Sequence, residues 1–192
     1  MAQGDYGTLV PPWRVGPTRE IAKTRMFTLN EHRCESPATG RAGDFVFLDT
    51  ADWCNVAALT PDGHVVMIEQ FRHGLGEVTL ELPGGIVDPG ETPAAACERE
   101  LLEETGYAGA RVEMIGVVSA NPAMQNNRVH TGLVRNAVLK GSQHLDGSEE
   151  IAVRLVKLTE VPALVARGVI HHSLVVAAFY HLALRGWAHH VS

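Results

Sequence analysis

The chain has 192 residues and a formal net charge of −6. That length suits one domain, or one domain with a modest extension, and it is sufficient to bury a substantial core. Hydrophobic residues make up 45% and charged residues 20% of the sequence, as in an ordinary soluble protein. The acidic balance argues against broad nucleic-acid binding, which normally needs a basic face, but it does not exclude a small phosphorylated substrate.

The sequence carries no sign of secretion or membrane insertion. Its N-terminal stretch lacks a basic region followed by an apolar core, so we expect no signal peptide. The longest apolar stretch, Leu174–Tyr180, is too short to span a bilayer. Cys34, Cys54 and Cys97 are odd in number and show no CxxC spacing. We therefore expect free thiols in a cytoplasmic protein that does not bind membranes.

The N-terminal part of the chain is predicted to form an extension to the main domain. Residues 1–16 are rich in glycine and proline, which favours a mobile arm. Apolar residues between positions 19 and 33 indicate one or two strands, and Asp44–Leu48 indicates another. We therefore place an N-terminal arm with a β extension at residues 1–50 and the main domain at residues 51–192.

The main domain is predicted to be rich in strands. The turn sequence Thr60–Gly63 separates two apolar runs, which predicts a hairpin of Val56–Leu59 and His64–Phe71. The other predicted strands are Glu77–Leu82, Val112–Val118, Val129–Leu139 and Ile151–Leu158. Strands on both sides of a central helix, with another helix at the end, predict an α/β sandwich.

Two helices are predicted near the C-terminus. Thr159–Arg167 forms a short helix that ends at Gly168, and Ser173 is the predicted N-cap of a core helix at Leu174–Trp187. The histidine pairs His171-His172 and His189-His190 are interpreted as surface or capping residues rather than as metal ligands.

The stretch Gly85–Tyr107, GIVDPGETPAAACERELLEETGY, predicts a loop followed by the central helix. Thr92 suits the N-cap, and Pro93 suits the first helical position, where its missing N–H costs nothing. Gly106 is a natural residue just past the helix end.

This helix carries a cluster of carboxylates. Spacings of three and four residues place Glu100, Glu103 and Glu104 on one face. Like charges at this spacing repel one another, and a divalent cation would turn the repulsion into attraction. Oxygen ligands on a fixed helix suit Mg²⁺ or Mn²⁺. The three glutamates alone leave open the alternative of a solvated acidic face.

The wider spacing of fixed residues resembles a known family. Gly85, Glu91 and the run Arg99–Gly106 match every fixed position of the Nudix box, and Tyr107 fits its bulky, apolar closing position. The chain therefore resembles the Nudix hydrolases, which hydrolyse a nucleoside diphosphate linked to another group. The resemblance implies an α/β/α sandwich with a mixed sheet between helices.

The resemblance also implies roles for the motif residues. Glu100 and Glu104 would be the principal Mg²⁺ ligands, with Mn²⁺ as a substitute. Glu103 would be a third ligand or a catalytic contact to a metal-bound water, and the carbonyl of Gly84 a further ligand. The residues expected to have a structural role in the motif are Gly85, Glu91, Arg99 and Gly106, with Arg99 and Glu91 as a pair.

Three features resemble the branch of ADP-ribose and nucleoside-diphosphate-sugar pyrophosphatases. In that branch a strand-forming N-terminal segment builds a homodimer and contributes to the partner's site. The run Glu69–Arg72 resembles the EQ-aromatic-R strand end of the branch, where the arginine binds phosphate through its fork of donors. A surface salt bridge is the alternative for Arg72. Pro122 lies fifteen residues beyond Tyr107, as in the ADP-ribose branch.

The loop around this proline departs from the branch. The branch often has Ser-Pro-Gly-Phe, whereas this chain has Asn121–Met124 followed by a polar run that ends at Arg128. We expect Pro122 and Arg128 to contact substrate, and we expect ADP-ribose to be one nucleotide-sugar substrate among several.

The branch places a glutamate on a mobile loop before the late strand to position or deprotonate the attacking water. In this chain, the run Asp146–Glu150 precedes the strand at Ile151. The alignment makes Glu149 the catalytic candidate and Glu150 the runner-up, with an ordinary acidic turn as the alternative. The candidates for stacking on the nucleobase are Tyr6, Trp13 and Trp53.

The sequence leaves two other functions open. Within enzymes, a Nudix hydrolase could act on nucleoside triphosphates, dinucleoside polyphosphates or RNA ends. In another class, a Nudix domain could bind ADP-ribose as a sensor without hydrolysing it. The intact box and the acidic charge favour a nucleotide-sugar hydrolase that is a homodimer and does not bind nucleic acid.

Overall fold

The computed structural model describes residues 7–145, 147 and 149–186. The chain divides into two compact units. The first consists of Met1–Thr50 and Asn121–Asn126, and the second of Ala51–Ala120 and Asn127–Ser192. The first unit thus includes the short segment Asn121–Asn126, which lies within the main domain predicted from the sequence.

The first unit is built on a three-stranded antiparallel sheet. Its strands are β1 (Arg14–Lys23), β2 (Thr28–Glu35) and β3 (Ala42–Asp49), in the order β1-β2-β3. The expectation of an arm up to residue 16 is wrong for its last residues, because β1 begins at Arg14. The glycine and proline that suggested an arm lie where the register of β1 shifts, and an edge strand tolerates both residues at such an irregularity.

The second unit contains a six-stranded mixed sheet. Its elements in chain order are β4 (Trp53–Leu59), β5 (His64–Arg72), β6 (Glu77–Glu81), α1 (Pro93–Thr105), β7 (Tyr107–Ala108), β8 (Glu113–Ser119), β9 (Arg128–Arg135), β10 (Val138–Leu139), β11 (Ile151–Lys157), a 3₁₀ turn (Leu158–Glu160), α2 (Val161–Ala166) and α3 (Ser173–Ala183). The strand order is β11-β5-β4-β9-β8, with β6 paired to β5. The pair β4–β9 is parallel and the other pairs are antiparallel.

Helices cover both faces of this sheet because its central strands alternate between two hydrophobic cores. Cys54, Val56 and Ala58 of β4 pack in the core that includes residues of α1, whereas Ala57 packs in the core that includes residues of α3. The predicted α/β sandwich with a mixed sheet is confirmed. None of the helices within the described residues is long and apolar enough to cross a membrane.

Several predicted boundaries in this unit are wrong. The strand predicted at Val129–Leu139 is two strands, because Asn136 adopts a positive φ of 54° and β10 pairs with β7 instead. The helix predicted at Thr159–Arg167 is a 3₁₀ turn followed by α2. The last helix starts at Ser173 itself, with His172 at the N-cap position, and it ends at Ala183. The predicted end at Trp187 and the pair His189-His190 lie outside the described residues.

Candidate active site

Helix α1 has the predicted limits because its ends are capped locally. The Oγ1 of Thr92 accepts a hydrogen bond from the N–H of Ala95 at 3.2 Å. At the other end, Gly106 has a φ of 74°, and its N–H donates to the carbonyl of Leu102 at 2.8 Å. The capped helix buries Leu101 against the sheet and presents its carboxylates towards the glycine turn that follows β6.

Glu104 is the most deeply placed of these carboxylates. Its residue is 4% exposed, and its Oε2 accepts a hydrogen bond from the backbone N–H of Gly84 at 2.8 Å. Burial raises the pKa of Glu104 to about 8. The negative charges of Glu100 and Glu149 act in the same direction, while the Gly84 hydrogen bond and the charge of Arg72 oppose the rise.

Two glycines permit this close arrangement. A Cβ on Gly84 would lie 2.2 Å from the carbonyl oxygen of Cys54, so a side chain would collide with the backbone of β4. A Cβ on Gly85 would lie 2.3 Å from Oε1 of Glu100. Any residue larger than glycine at position 85 would therefore displace the Glu100 carboxylate.

Arg99 ties the loop before α1 to the carboxylates of the helix. Its Nε and Nη2 donate to the two carboxylate oxygens of Glu91 at 3.1 and 3.0 Å, and its Nη2 also donates to the carbonyl of Ile86 at 2.9 Å. Its Nη1 donates to Glu100 at 2.7 Å and to Glu103 at 3.2 Å. One guanidinium thus holds the loop and orients two of the carboxylates.

The glutamates of α1 differ in burial. Burial raises the pKa of Glu100, and the neighbouring charges of Glu103 and Glu149 add to this rise, while Arg99 opposes it. The side chain of Glu103 is 44% exposed. Glu103 therefore faces solvent at the rim of the cluster, whereas the carboxyl groups of Glu100 and Glu104 lie in a poorly solvated place that disfavours their charged forms.

This cluster has the chemistry of a divalent-cation site. In the described part of the chain, no group of three or more His, Cys, Asp or Glu side chains is already arranged to hold a metal ion. Glu100 bonds to Arg99, and Glu104 bonds to Gly84. The raised pKa values of Glu100 and Glu104 mean that the protein alone stabilises their ionised forms poorly, and a bound cation would stabilise those forms. An all-oxygen donor set of this kind fits Mg²⁺ or Mn²⁺.

A cavity of about 1130 Å³ opens at the ends of β5 and β6. It is lined by Arg72 from the end of β5, by Glu81 from the end of β6, by His172 before α3, and by Glu149 and Glu150. The charge of Arg72 acts on both Glu104 and Glu149. The cavity therefore places the cationic Arg72 together with Glu149 and Glu150, and the charge of Arg72 also acts on Glu104 of α1.

The sequence of the chain matches the NUDIX domain model over residues 52–179. This match covers more than half of the chain. The chain belongs to the Nudix family. The family prediction made from the box is confirmed, and the cluster of Glu100, Glu103 and Glu104 is the acidic part of its Nudix box.

Curated Nudix relatives and a solved structure resemble the chain. It is 31% identical to the ADP-ribose pyrophosphatase of Bacillus subtilis over 131 aligned residues. The aligned segment covers 68% of this chain and 71% of the relative. The chain is 42% identical over 66 residues to the ADP-sugar pyrophosphatase of Mus musculus, over 34% of this chain and 30% of the relative. A crystal structure of an ADP compounds hydrolase aligns with a TM-score of 0.81 at 18% identity, covering 94% of this chain and 96% of the other. That likeness shows a shared Nudix fold.

The structure brings together most of the residues predicted to form the site of this Nudix domain. The charge of Arg72 acts on Glu104 and is affected by Glu149, and the charge of Glu149 acts on both Glu100 and Glu104. Glu149 is half-buried and Glu150 is exposed, and both line the cavity. Asp146 and Ser148 of the same loop lie outside the described residues.

Two further residues, Arg128 and Pro122, are predicted to contact substrate. Arg128 starts β9, where its Nη1 donates to Oγ of Ser119 and its backbone N–H donates to Asp52 at 2.8 Å. It does not line the described cavity. Pro122 belongs to the first unit. The substrate contacts expected of Arg128 and Pro122 stay predictions.

The stacking roles of the candidate aromatic residues stay predictions. Trp13 lies in the first unit, where its ring meets Phe45 edge-on at 5.7 Å. Trp53 starts β4 and forms a bridge with Ile86. Tyr6 lies outside the described residues.

Glu81 was not among the predicted site residues, and His172 was predicted only as a surface or capping residue. His172 does occupy the N-cap position of α3, but its side chain makes no capping hydrogen bond and lies against Glu81 instead. The Arg72 guanidinium is paired with the buried Glu81 rather than with a surface carboxylate, and His172 contacts the same carboxylate. Glu81 carried one signal that could have revealed it. It is a charged residue on the inward-facing side of a strand that runs directly into the glycine turn.

Proposed function

We propose that this Nudix protein hydrolyses the diphosphate bond of ADP-ribose or of related nucleoside diphosphate sugars. The products would be a nucleoside monophosphate and a sugar phosphate, and Mg²⁺ would be the metal, with Mn²⁺ as a substitute. The observation that carries the proposal is the cavity in which Arg72 lies together with Glu149 and Glu150, while the charge of Arg72 also acts on Glu104 of the Nudix box. The names of the B. subtilis and mouse relatives support the choice of substrate.

Each side chain has a proposed part in this reaction. Glu100, Glu104, Glu103 and the carbonyl of Gly84 would hold the metal, which would neutralise the diphosphate and lower the pKa of the attacking water. Arg72 would bind a phosphate oxygen through its guanidinium. Glu149 would accept a proton from the water as its oxygen attacks phosphorus and the bridging P–O bond breaks, with Glu150 as the alternative base.

We also propose that the chain forms a homodimer through its first unit. Both edge strands of the sheet β1–β3 leave apolar side chains in solvent, namely Trp13 next to β1, Val15 and Ile21 on β1, and Phe45 and Val46 on β3. Apolar groups exposed together on a sheet are typical of an association surface. Light scattering should give the mass of two chains, and Phe45→Glu with Val46→Glu should yield monomers.

The remaining proposals concern compartment and partners. Cys34, Cys54 and Cys97 are free and buried, which supports a reducing, cytoplasmic location. The net charge of −6 supports a small nucleotide as the ligand rather than nucleic acid.

A substrate panel with purified protein and Mg²⁺ tests the proposed activity. The panel contains ADP-ribose, ADP-glucose, GDP-mannose, UDP-glucose, a dinucleoside polyphosphate and a triphosphate, and released phosphomonoester is detected with phosphatase. Cleavage of ADP-ribose or of several nucleotide sugars is the expected result. Activity only on triphosphates or dinucleosides would replace the substrate class. Tight binding of ADP-ribose without turnover would show a sensor.

A further inference from the structure

The hairpin β5–β6 places a polar network on one face of the sheet. In its antiparallel register, Ile68 is opposite Glu81, Gln70 is opposite Thr79, and Arg72 is opposite Glu77. Positions two residues apart on a strand share a face, so Arg72, Thr79 and Glu81 project to the same side. Arg72 is therefore able to lie back along this face and reach Glu81.

Glu81 receives four hydrogen bonds at the floor of the cavity. Arg72 donates from Nε to Oε1 at 2.7 Å and from Nη2 to Oε2 at 2.8 Å. Thr79 donates its hydroxyl to Oε1 at 2.5 Å, and Nδ1 of His172 lies 2.7 Å from Oε2. Each carboxylate oxygen thus has two partners, and Glu81 itself is only 2% exposed.

The charge state of Glu81 indicates which ring nitrogen of His172 carries the proton in this contact. Burial alone would raise the pKa of Glu81, but the hydrogen bonds from Arg72, His172 and Thr79 outweigh burial and hold its pKa well below the usual value. A deprotonated carboxylate can only accept hydrogen bonds. Nδ1 of His172 is therefore the protonated donor of this contact.

We propose that Glu81 and His172 are positioning residues that fix Arg72 for phosphate binding. The inference rests on the proposed function, in which Arg72 binds the substrate diphosphate. Within the described residues, Nη1 of Arg72 has no hydrogen-bond partner, and the side chain is 42% exposed in the cavity. The Glu81 carboxylate holds the opposite edge of the guanidinium, and His172 holds Oε2 of that carboxylate in place.

The physical advantage is that the arginine is oriented before substrate arrives. A free arginine side chain loses substantial rotamer entropy when it binds a ligand, and a guanidinium already held on one edge loses less. Stability alone gives little reason for the arrangement, because apolar residues often replace a buried ion pair without loss of stability. His172 belongs to the segment before α3, so the network also joins the β5–β6 hairpin to that helix.

Three substitutions of His172 separate this role from a direct contact with substrate. In His172→Asn the side-chain amide can replace Nδ1 as the donor to Glu81, whereas in His172→Gln it reaches the position of Nε2 instead. His172→Ala removes both groups. His171→Asn is the matched control, because Nε2 of His171 lies 3.4 Å from the exposed Glu77 rather than near Glu81.

The test measures ADP binding by calorimetry, and KM and kcat for ADP-ribose with Mg²⁺. We expect His172→Gln and His172→Ala to raise the ADP Kd and the KM about tenfold, as for a weakened contact to a charged group, with a smaller change in kcat. His172→Asn and His171→Asn should stay within about twofold of the unsubstituted chain, because each keeps the Glu81 contact. Glu81→Gln should resemble His172→Gln. Thermal unfolding of each variant shows whether it is folded.

The outcomes separate failure of the positioning role from failure of the proposed function. If the unsubstituted chain neither binds ADP nor hydrolyses ADP-ribose, the proposed function fails and the positioning role falls with it. If that chain is active and folded His172→Gln and His172→Ala match it, only the positioning role is overturned. If His172→Gln is active while His172→Asn is impaired, His172 acts through Nε2, and the positioning role is again overturned.

Discussion

The backbone N–H of Gly84 donates a 2.8 Å hydrogen bond to the buried carboxylate of Glu104. This bond joins the turn after β6 to the face of α1 that carries the Nudix glutamates. It satisfies one lone pair of a carboxylate whose pKa burial raises to about 8. Because burial disfavours the ionised form of Glu104, a bound cation would stabilise that form and lower this pKa.

The first prediction concerns this carboxylate. Glu104→Gln should reduce Mg²⁺-dependent turnover by about a hundredfold or more, because it removes charge that would hold the metal. Mg²⁺ should raise the melting temperature of the unsubstituted chain, since a ligand that binds only the folded state stabilises it, and this rise should shrink in Glu104→Gln. Differential scanning fluorimetry measures the shift. Glu98→Gln, at an exposed position of the same helix, is the control and should leave both properties unchanged.

The two glycines of the turn should respond differently to alanine. In Gly85→Ala the new Cβ meets the end of the Glu100 side chain, which can move aside, so activity should fall strongly while stability changes by less than about 1 kcal/mol. In Gly84→Ala the Cβ meets backbone of β4 at 2.2 Å, so the free energy of unfolding should fall markedly. Urea unfolding and turnover are measured together. Gly141→Ala, where a Cβ meets nothing within 4 Å, is the control.

The catalytic base is tested by two neighbouring substitutions. Glu149→Gln should reduce kcat by about a hundredfold or more, as expected for loss of a general base, and should leave KM nearly unchanged. Glu150→Gln should have a small effect, because Glu150 is exposed to solvent whereas Glu149 is half-buried. A silent Glu149→Gln beside a crippled Glu150→Gln would exchange the two roles.

A fourth prediction concerns packing between β8 and α3. A Cβ on Gly116 would lie 2.2 Å from Cδ2 of His181, and the register of β8 shifts at this glycine. Gly116→Ala should lower the free energy of unfolding by about 1–3 kcal/mol, as for other overpacked cores. The same Gly116→Ala substitution should cost less free energy of unfolding when it is made in the His181→Ala variant, because the ring that the new Cβ would meet is then absent. Denaturant unfolding of the double-mutant cycle gives the coupling, and additive effects would refute the steric explanation.

The acid stability of the chain should depend on Glu81. Its pKa in the folded chain lies well below the ordinary value of 4.5, because hydrogen bonds from Arg72, His172 and Thr79 outweigh burial. A lowered folded pKa contributes stability that is complete above the unfolded pKa of about 4.5 and is lost as the pH falls further. Acidification from pH 6 to pH 3 should therefore cost Glu81→Gln less stability than the unsubstituted chain. Glu113→Gln, from the exposed pair with Arg185, is the comparison, and equal pH slopes would contradict the prediction.

The sequence alone was sufficient for the features that depend on neighbours in the chain. The caps of α1 at Thr92 and Gly106 and the spacing of Glu100 and Glu104 depend on residues within one or two turns of a helix. The hairpin β4–β5 was equally readable, because Thr60–Gly63 is a turn sequence between two apolar runs. The Nudix box combines such local features at fixed distances along the chain, so the order of residues is enough to identify the family.

Only the tertiary structure decided which residues meet across the chain. Arg72, Glu81 and His172 come from two strands and the segment before α3, and no local pattern specifies that one carboxylate holds the other two side chains. The break at Asn136 arises because β10 pairs with β7 outside the main sheet, although the apolar pattern continues through it. Such contacts form between residues distant in sequence, and their energies depend on burial and pairing that only the folded chain provides.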